Sequence, residues 1–161
     1  VACMAQLCNV IAPIMTEPGG AAWRQTIFHP FAQAARWARG QVLRPVIASP
    51  GYANARHGEL PYLCASVVDD AASGQTAVFL LNRHLTDEMD LSVTLRGLGA
   101  ERSLVQAEQL HSADLNATNT VDAPDRVAPT PLAGVRIDGE QLRVTLQPAS
   151  LNVIVTKATR A

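Results

Sequence analysis

The second part of this 161-residue chain consists of short segments in which apolar and polar residues alternate. A period of two is typical of half-buried β-strands, and turn residues such as Ser73-Gly74 and Asp138-Gly139 separate the segments. The candidate strands are residues 62–68, 76–82, 91–95, 103–110, 142–146 and 151–155. The pattern therefore predicts a mostly β fold, an antiparallel, jelly-roll-like β-sandwich.

The first part of the chain shows helical spacing instead. Residues 1–10 and 30–39 each carry a helical apolar stripe, and the short apolar run at 11–15 is typical of a strand buried on both faces. Nothing resembling an N-cap precedes the first helix, so we expect the chain to continue from a longer protein. The order helix, strand, loop, helix indicates part of a parallel α/β architecture, which one strand cannot complete.

Charge and cysteine usage exclude several classes of function. The formal net charge is -1 and the basic residues are scattered, so a nucleic-acid partner is not indicated. Cys3, Cys8 and Cys64 lack metal-ligand spacing, and we interpret them as buried free thiols, with no metal and no cofactor. Free thiols favour a reducing, cytoplasmic compartment. No signal peptide is recognisable, and no apolar run reaches the ~20 residues that a membrane helix needs.

The remaining titratable residues form no catalytic pattern. Two adjacent carboxylate pairs, Asp69-Asp70 and Asp87-Glu88, lie beside strand ends, where neighbouring side chains diverge and turns are commonly acidic. The four histidines are dispersed and do not suggest shared metal coordination or a Ser-His-Asp arrangement: His29, His57, His84 and His111.

Two motifs near the start of the chain are specific. They are residues 5–16 (AQLCNVIAPIMT) and residues 23–28 (WRQTIF). Shorter motifs follow at 43–45 (LRP), 82–83 (NR), 114–120 (DLNATNT) and 152–154 (NVI). In this order they closely resemble the C-terminal portion of the α-L-arabinofuranosidases of glycoside hydrolase family 51, and the resemblance covers essentially the whole chain.

The resemblance implies a (β/α)8 barrel followed by a β-sandwich, in a hydrolase that removes terminal non-reducing α-L-arabinofuranosyl residues with retention of configuration. On this mapping residues 1–43 are the C-terminal end of the TIM-barrel catalytic domain, and residues 44–161 are the β-sandwich C-terminal domain. The helix at 1–10 would precede the eighth barrel strand at 11–16. The loop at 17–27 would then lie at the C-terminal face of the barrel, where such enzymes have their active sites.

Gln25 gains a functional interpretation from this resemblance. In the family the glutamine of the Trp-Arg-Gln-Thr motif contacts the arabinose, and a neutral amide that donates and accepts suits sugar hydroxyls. Gln25 is therefore the one candidate substrate-binding residue. Trp23 either packs at the barrel mouth or stacks near the sugar, and Arg24 either orients a neighbouring group or forms a structural ion pair. Glu17 matches neither catalytic position of the family, and we interpret it as a surface or loop-fixing residue.

The chain contains no catalytic residue on this mapping. Retaining hydrolysis uses two carboxyl groups about 5 to 5.5 Å apart, and the resemblance places both glutamates on the fourth and seventh barrel strands, upstream of Val1. The isolated chain is therefore predicted to be inactive. Two positions depart from the family: His29 stands where tyrosine is more common, and Leu151 where tryptophan is. We interpret His29 as a packed or surface residue and Leu151 as a local repacking.

Two other functions stay open at this point. A non-catalytic carbohydrate-binding module would need an exposed aromatic platform, but Tyr62 and Phe79 fall within apolar strands, where burial is favoured. Alternatively, the sandwich is architectural, covering the barrel and helping to build an oligomer interface. The expected partners are arabinofuranosyl oligosaccharides bound through the intact enzyme, the upstream barrel of the same protein and further copies in a homo-oligomer, with no nucleic acid and no membrane.

Overall fold

The computed structural model describes residues 3–99 and 101–159, and this part of the chain contains thirteen strands and one helix. In chain order the elements are β1 (Ile14–Thr16), β2 (Ala22–Arg24), α1 (Phe28–Trp37), β3 (Gln41–Leu43), β4 (Gly51–Asn54), β5 (Gly58–Pro61), β6 (Leu63–Asp70), β7 (Gln75–Asn82), β8 (Met89–Thr94), β9 (Arg102–Leu110), β10 (Thr130–Pro131), β11 (Arg136–Asp138), β12 (Gln141–Leu146) and β13 (Ser150–Ala158).

Two antiparallel sheets form the body of the fold. The larger sheet has six strands in the order β10-β9-β13-β7-β6-β3, and the smaller has three in the order β11-β12-β8. Two hairpins, β1–β2 and β4–β5, lie outside these sheets. The predicted mostly β, antiparallel class is confirmed.

The main core lies between the two sheets. Val78 and Leu80 on β7 and Ile154 on β13 belong to the same buried cluster as Leu142 and Leu146 on β12, and each of the five is at most 1% exposed. Burial alternates along β12, as the sequence pattern requires for a strand with one solvated face. A slip of one residue in β12 would turn its apolar set to solvent, so the core also determines the register of this strand.

Helix α1 packs on the outer face of the larger sheet. Its Trp37 contacts a second, smaller cluster formed by Ala77 on β7 and by Val153 and Val155 on β13. The chain then turns into β3 through Gly40, whose φ of 118° favours glycine and where a Cβ would collide with the backbone of Asp69. The helix is thereby held against the sheet at its C-terminal end.

The predicted helix at residues 1–10 is not found in its described part, residues 3–10. Asn9 and Val10 both have a positive φ, which is incompatible with a right-handed helix, and Leu7 and Val10 are 70% and 80% exposed. A short helix needs an apolar surface on which to pack its stripe. The described residues offer none there, so the stripe does not become a helix.

The predicted barrel strand at 11–16 is also different in the structure. Only Ile14–Thr16 is a strand, and it pairs antiparallel with β2 through the partners Ile14 and Arg24, instead of lying in a parallel sheet. The second predicted helix is present as α1. With one helix missing and the strand in a hairpin, the helix-strand-helix remnant of a barrel is not shown.

All six strands predicted from alternation are present, as β6, β7, β8, β9, β12 and β13, with bounds shifted by at most three residues. The short strands β2, β3, β4, β5, β10 and β11 were not predicted, because two to four residues are too few to show a period. Strand β3 pairs with β6, so residues 41–43 belong to the larger sheet. The division of the chain at residues 43 and 44 stays a prediction.

The cysteines differ in part from the expectation of buried thiols. Cys3 and Cys8 are exposed, because the segment that carries them does not form the packed helix, while Cys64 on β6 is half-buried. Among the described residues, no helix is long and apolar enough to cross a membrane.

Candidate functional site

Gln25 directly follows the hairpin β1–β2, and its backbone is held on both sides. Its N–H donates to the carbonyl of Pro13 at 2.8 Å, and its own carbonyl accepts from the N–H of Phe28 at the start of α1 at 3.0 Å. The residue is half-buried. Among the described residues no protein group forms a hydrogen bond with its side-chain amide. The backbone of Gln25 is therefore held in place, while the N–H groups and the oxygen of the amide are available to a ligand.

The indole of Trp23 is packed against the protein, which is one of the two roles expected for this residue. The side chain is half-buried, and its Nε1–H donates to the backbone carbonyl of Asn119 at 3.2 Å. Asn119 lies in the long connection between β9 and β10, so Trp23 joins the hairpin to the sandwich. An indole with its polar atom satisfied in this way is typical of a packed tryptophan.

Asn119 is the residue that sequence analysis missed. It is 2% exposed, and its side-chain amide donates to the carbonyl of Arg24 and to that of Val127, each at 2.9 Å. Its Oδ1 accepts from the N–H of Val127 at 2.8 Å. Asn119 belongs to the motif at 114–120 that contributes to the family resemblance. Nothing in the sequence of this polar loop indicates, however, that its side chain bonds to a strand 95 residues away.

Two exposed ion pairs border this contact. Arg24 lies 3.5 Å from Asp125, and Arg126 lies 2.9 Å from Asp114, with all four side chains more than half exposed. Arg24 thus forms the ion pair that one of its two interpretations expects. Exposed ion pairs of this kind contribute little to stability, so they add little to the attachment of the loop that carries Asn119.

Beneath the hairpin, α1 presents polar groups to the outer face of the larger sheet. Gln33 donates to Glu108 on β9 at 3.2 Å, and His29 is buried with its Nε2 unpartnered among the described residues. Burial lowers the pKa of His29, and Arg24 adds to that effect, while Asp125 and Glu108 act in the opposite direction. His29 is therefore a packed histidine.

Two carboxylates of the β6–β7 hairpin accept hydrogen bonds from neighbouring hydroxyl groups. Asp69 accepts from Thr76 Oγ1 at 2.7 Å, and Asp70 accepts from Ser73 Oγ at 2.6 Å, a bond that lowers the pKa of Asp70. Glu17 is exposed in the β1–β2 turn, as predicted. Among the described residues no three His, Cys, Asp or Glu side chains converge as metal ligands would.

The aromatic residues of the sandwich do not form an open platform. Tyr62 contacts Tyr52 with ring centroids 5.1 Å apart and His84 at 4.4 Å, and the ring planes are tilted by 34° and 54°. Phe79 packs against the cluster under α1. These tilted or packed rings do not form the flat surface on which a sugar ring stacks.

Comparisons with known proteins place this architecture among domains of glycoside hydrolases. A family 30 xylanase from Talaromyces cellulolyticus superposes on this chain with a TM-score of 0.60 at 12% sequence identity, over 91% of this chain and 27% of that one, which is a likeness of fold alone. The assignment to a family is more specific. The sequence model of the family of α-L-arabinofuranosidase C-terminal domains matches residues 1–150, and the chain belongs to this family.

Relatives with established names agree with this assignment. The chain is 47% identical to an intracellular exo-α-(1→5)-L-arabinofuranosidase from Streptomyces lividans, over 96% of this chain and 23% of the relative. It is 42% identical to an exo-α-(1→6)-L-arabinofuranosidase from Bifidobacterium longum, over 97% of this chain and 30% of the relative. The chain thus spans about a quarter to a third of the length of these relatives.

Solved structures of family 51 share the fold. An α-L-arabinofuranosidase from Bifidobacterium longum superposes with a TM-score of 0.87 at 39% identity, over 94% of this chain and 29% of that one. An arabinofuranosidase from Xanthomonas axonopodis pv. citri gives a TM-score of 0.82 at 25% identity, over 95% of this chain and 30% of that one. The resemblance first drawn from short motifs is therefore confirmed over nearly the whole chain.

Proposed function

We propose that this chain is the C-terminal part of an α-L-arabinofuranosidase that hydrolyses terminal non-reducing α-L-arabinofuranosyl residues with retention of configuration. The observation that carries the proposal is the 47% identity over 96% of the chain to an exo-acting arabinofuranosidase. In this proposal the part of the chain before β3 completes the catalytic barrel, and the remainder, from β3 onward, forms the supporting sandwich. Both catalytic glutamates lie outside this chain, which alone has no activity.

Gln25 is the proposed contribution of the chain to substrate binding. Its support is the held backbone and the side-chain amide that has no protein partner among the described residues. An amide can donate to one hydroxyl of a furanose and accept from another, which gives orientation without charge. Trp23 and Arg24, by contrast, face the sandwich loop through Asn119 and Asp125.

A cytoplasmic setting is part of this proposal and is supported by the relatives. Arabinofuranosidases from Streptomyces lividans and Bacillus subtilis carry the name intracellular, at 47% and 37% identity to this chain. A cytoplasmic enzyme of this kind acts on arabinofuranosyl oligosaccharides small enough to enter the cell. We further propose that the full-length protein assembles as a homo-oligomer through surfaces that include the sandwich.

The function is tested with the full-length protein that carries this chain. Incubation with an aryl α-L-arabinofuranoside should release the phenol, and proton NMR of the first product should show the configuration of the substrate. Release of the phenol from an aryl β-D-xyloside but not from the arabinoside would contradict the proposal.

Gln25→Ala tests the substrate contact in the same protein. Loss of a hydrogen bond to a sugar hydroxyl should cost about 1 to 3 kcal/mol, a decrease in kcat/KM of roughly 5- to 150-fold. Gln41→Ala is the matched control, because Gln41 is exposed on β3. Unchanged kcat/KM in Gln25→Ala would remove this residue from the site while leaving the activity itself intact.

A further inference from the structure

We propose that Asn119 is a positioning residue for the arabinofuranosidase reaction: through the backbone of Arg24 it fixes Gln25 at the substrate. This inference rests on the proposed function and adds a role for the sandwich domain. The long connection between β9 and β10, which carries Asn119, would then be part of the active-site architecture instead of an inert loop.

The first step is the completeness of the Asn119 contacts. Its side chain is 2% exposed and makes three hydrogen bonds of 2.8 to 2.9 Å, one to Arg24 and two to Val127. The pair of bonds to Val127 closes the loop on itself, and the bond to Arg24 attaches the closed loop to β2. Buried amides with all their contacts satisfied hold a single rotamer, so Asn119 is a rigid link.

The second step is the position of the attachment. Asn119 holds the carbonyl of Arg24, which is the last polar group of the backbone before the N–H of Gln25. On the other side that N–H donates to Pro13. The peptide group that joins Arg24 to Gln25 is therefore held through both its oxygen and its nitrogen, by the sandwich loop on one side and by the preceding strand on the other.

The third step is a second, independent bond between the same segments. Trp23 donates its indole N–H to the backbone carbonyl of Asn119, so consecutive residues of β2 are tied to one loop residue in both directions. Two bonds of opposite direction prevent the loop from sliding along the strand. Movement of the loop must therefore move the peptide that carries Gln25.

The chemistry of the link accounts for the residue type. Only a side chain that donates and accepts can serve Arg24 and Val127 at once, which an aspartate cannot do because a carboxylate would face two carbonyl oxygens. Alanine would leave the carbonyl of Arg24 and the N–H of Val127 without this partner. A small displacement of a substrate contact is costly, since 1 Å of misplacement can reduce a rate on the order of 100-fold.

The test is a double-mutant cycle in the full-length protein, with kcat/KM on an aryl α-L-arabinofuranoside as the measurement. Asn119→Ala should lower kcat/KM by about 10- to 100-fold at temperatures well below its unfolding midpoint. In a protein that already carries Gln25→Ala, the same change should cost less than about threefold, because its effect passes through Gln25. Asn116→Ala, an exposed asparagine of the same loop, is the control and should match the parent.

A purely structural role gives a different result. If Asn119→Ala lowers kcat/KM equally with and without Gln25, or leaves it unchanged, the inference is overturned. If Asn119→Ala does not fold, Trp23→Phe replaces it in the cycle, because it removes the indole donor to Asn119 and keeps an aromatic ring. No hydrolysis by the parent protein would instead refute the proposed function. No loss of kcat/KM in Gln25→Ala would remove Gln25 from the site and overturn this inference, while the proposed hydrolase activity would stand.

Discussion

The side-chain amide of Asn82 donates a 3.0 Å hydrogen bond to the backbone carbonyl of Gln147, which joins the larger sheet to the turn that follows β12 of the smaller sheet. The same amide reaches the carbonyls of Asp87 and Leu146, and its oxygen accepts from the N–H of His84. Asn82 has no solvent exposure. One side chain therefore satisfies backbone groups from two separate segments of the chain, where water cannot replace it.

Asn82→Ala should destabilise the fold, because it leaves buried carbonyls without a donor. We expect the free energy of unfolding to fall by about 3 kcal/mol, measured by chemical denaturation of the full-length protein with a probe in the sandwich. The exposed Asn116 provides the control, and Asn116→Ala should stay within about 0.5 kcal/mol of the parent. Equal denaturation midpoints for the two variants would contradict this role.

Leu142 tests the core between the sheets. It is fully buried on β12, so Leu142→Ala should lower the free energy of unfolding by about 2 to 5 kcal/mol through lost apolar burial and a cavity. Leu85→Ala removes the same atoms from a residue that is 68% exposed and should change the unfolding midpoint little. A larger effect at Leu85 than at Leu142 would show that the core lies elsewhere.

Arg102 tests a buried guanidinium at one end of the core. It donates to Thr156 Oγ1 at 3.0 Å, to Thr76 Oγ1 at 2.6 Å and to the carbonyl of Leu98. Arg102→Lys keeps the charge but cannot form this forked set, and should cost about 1 to 3 kcal/mol in urea denaturation. Arg96→Lys on the exposed surface is the matched change, and a similar loss there would argue against the fork.

His29 predicts a pH dependence of stability. Its pKa is lowered in the folded chain, chiefly by burial, so the unfolded chain binds a proton more readily. The stability that neutral, buried His29 allows is fully present above about pH 6.5, the pKa of histidine in the unfolded chain. This stability is lost as the pH falls from there towards the lower pKa of the folded chain. His29→Phe should lose less stability than the parent between about pH 7.5 and about pH 5.5 in thermal melts. Melting temperatures of the two proteins that fall in parallel with pH would contradict this role of His29.

The strands of the sandwich were predictable because their burial follows local sequence. On β12 Leu142, Val144 and Leu146 are buried and the residues between them are exposed, so the alternation seen in the sequence and the alternation of burial coincide. The N-terminal segment was not predictable in the same way. Leu7 and Val10 carry a helical stripe, but no described surface covers it, and the backbone takes other conformations.

The candidate site likewise contains one residue that could be predicted from local sequence and one that could not. Gln25 was identified by a motif whose residues are neighbours in sequence, and the structure adds that its backbone is held while its amide is unpartnered among the described residues. Asn119 carried no such sign. Its role depends on a bond to Arg24, and pattern analysis cannot pair two loop residues that have no shared period.

The family, the antiparallel class and the apolar faces of the main strands could be predicted from the sequence, because they depend on residue order and on a period of two that acts over a few residues. The burial of His29 and Gln33 by α1 against the sheet, with Phe31 40% exposed, is established only in the folded chain. The same holds for the bond by which Asn119 joins the loop to β2. Both outcomes depend on which distant surfaces meet, and that is a property of packing, which no local pattern encodes.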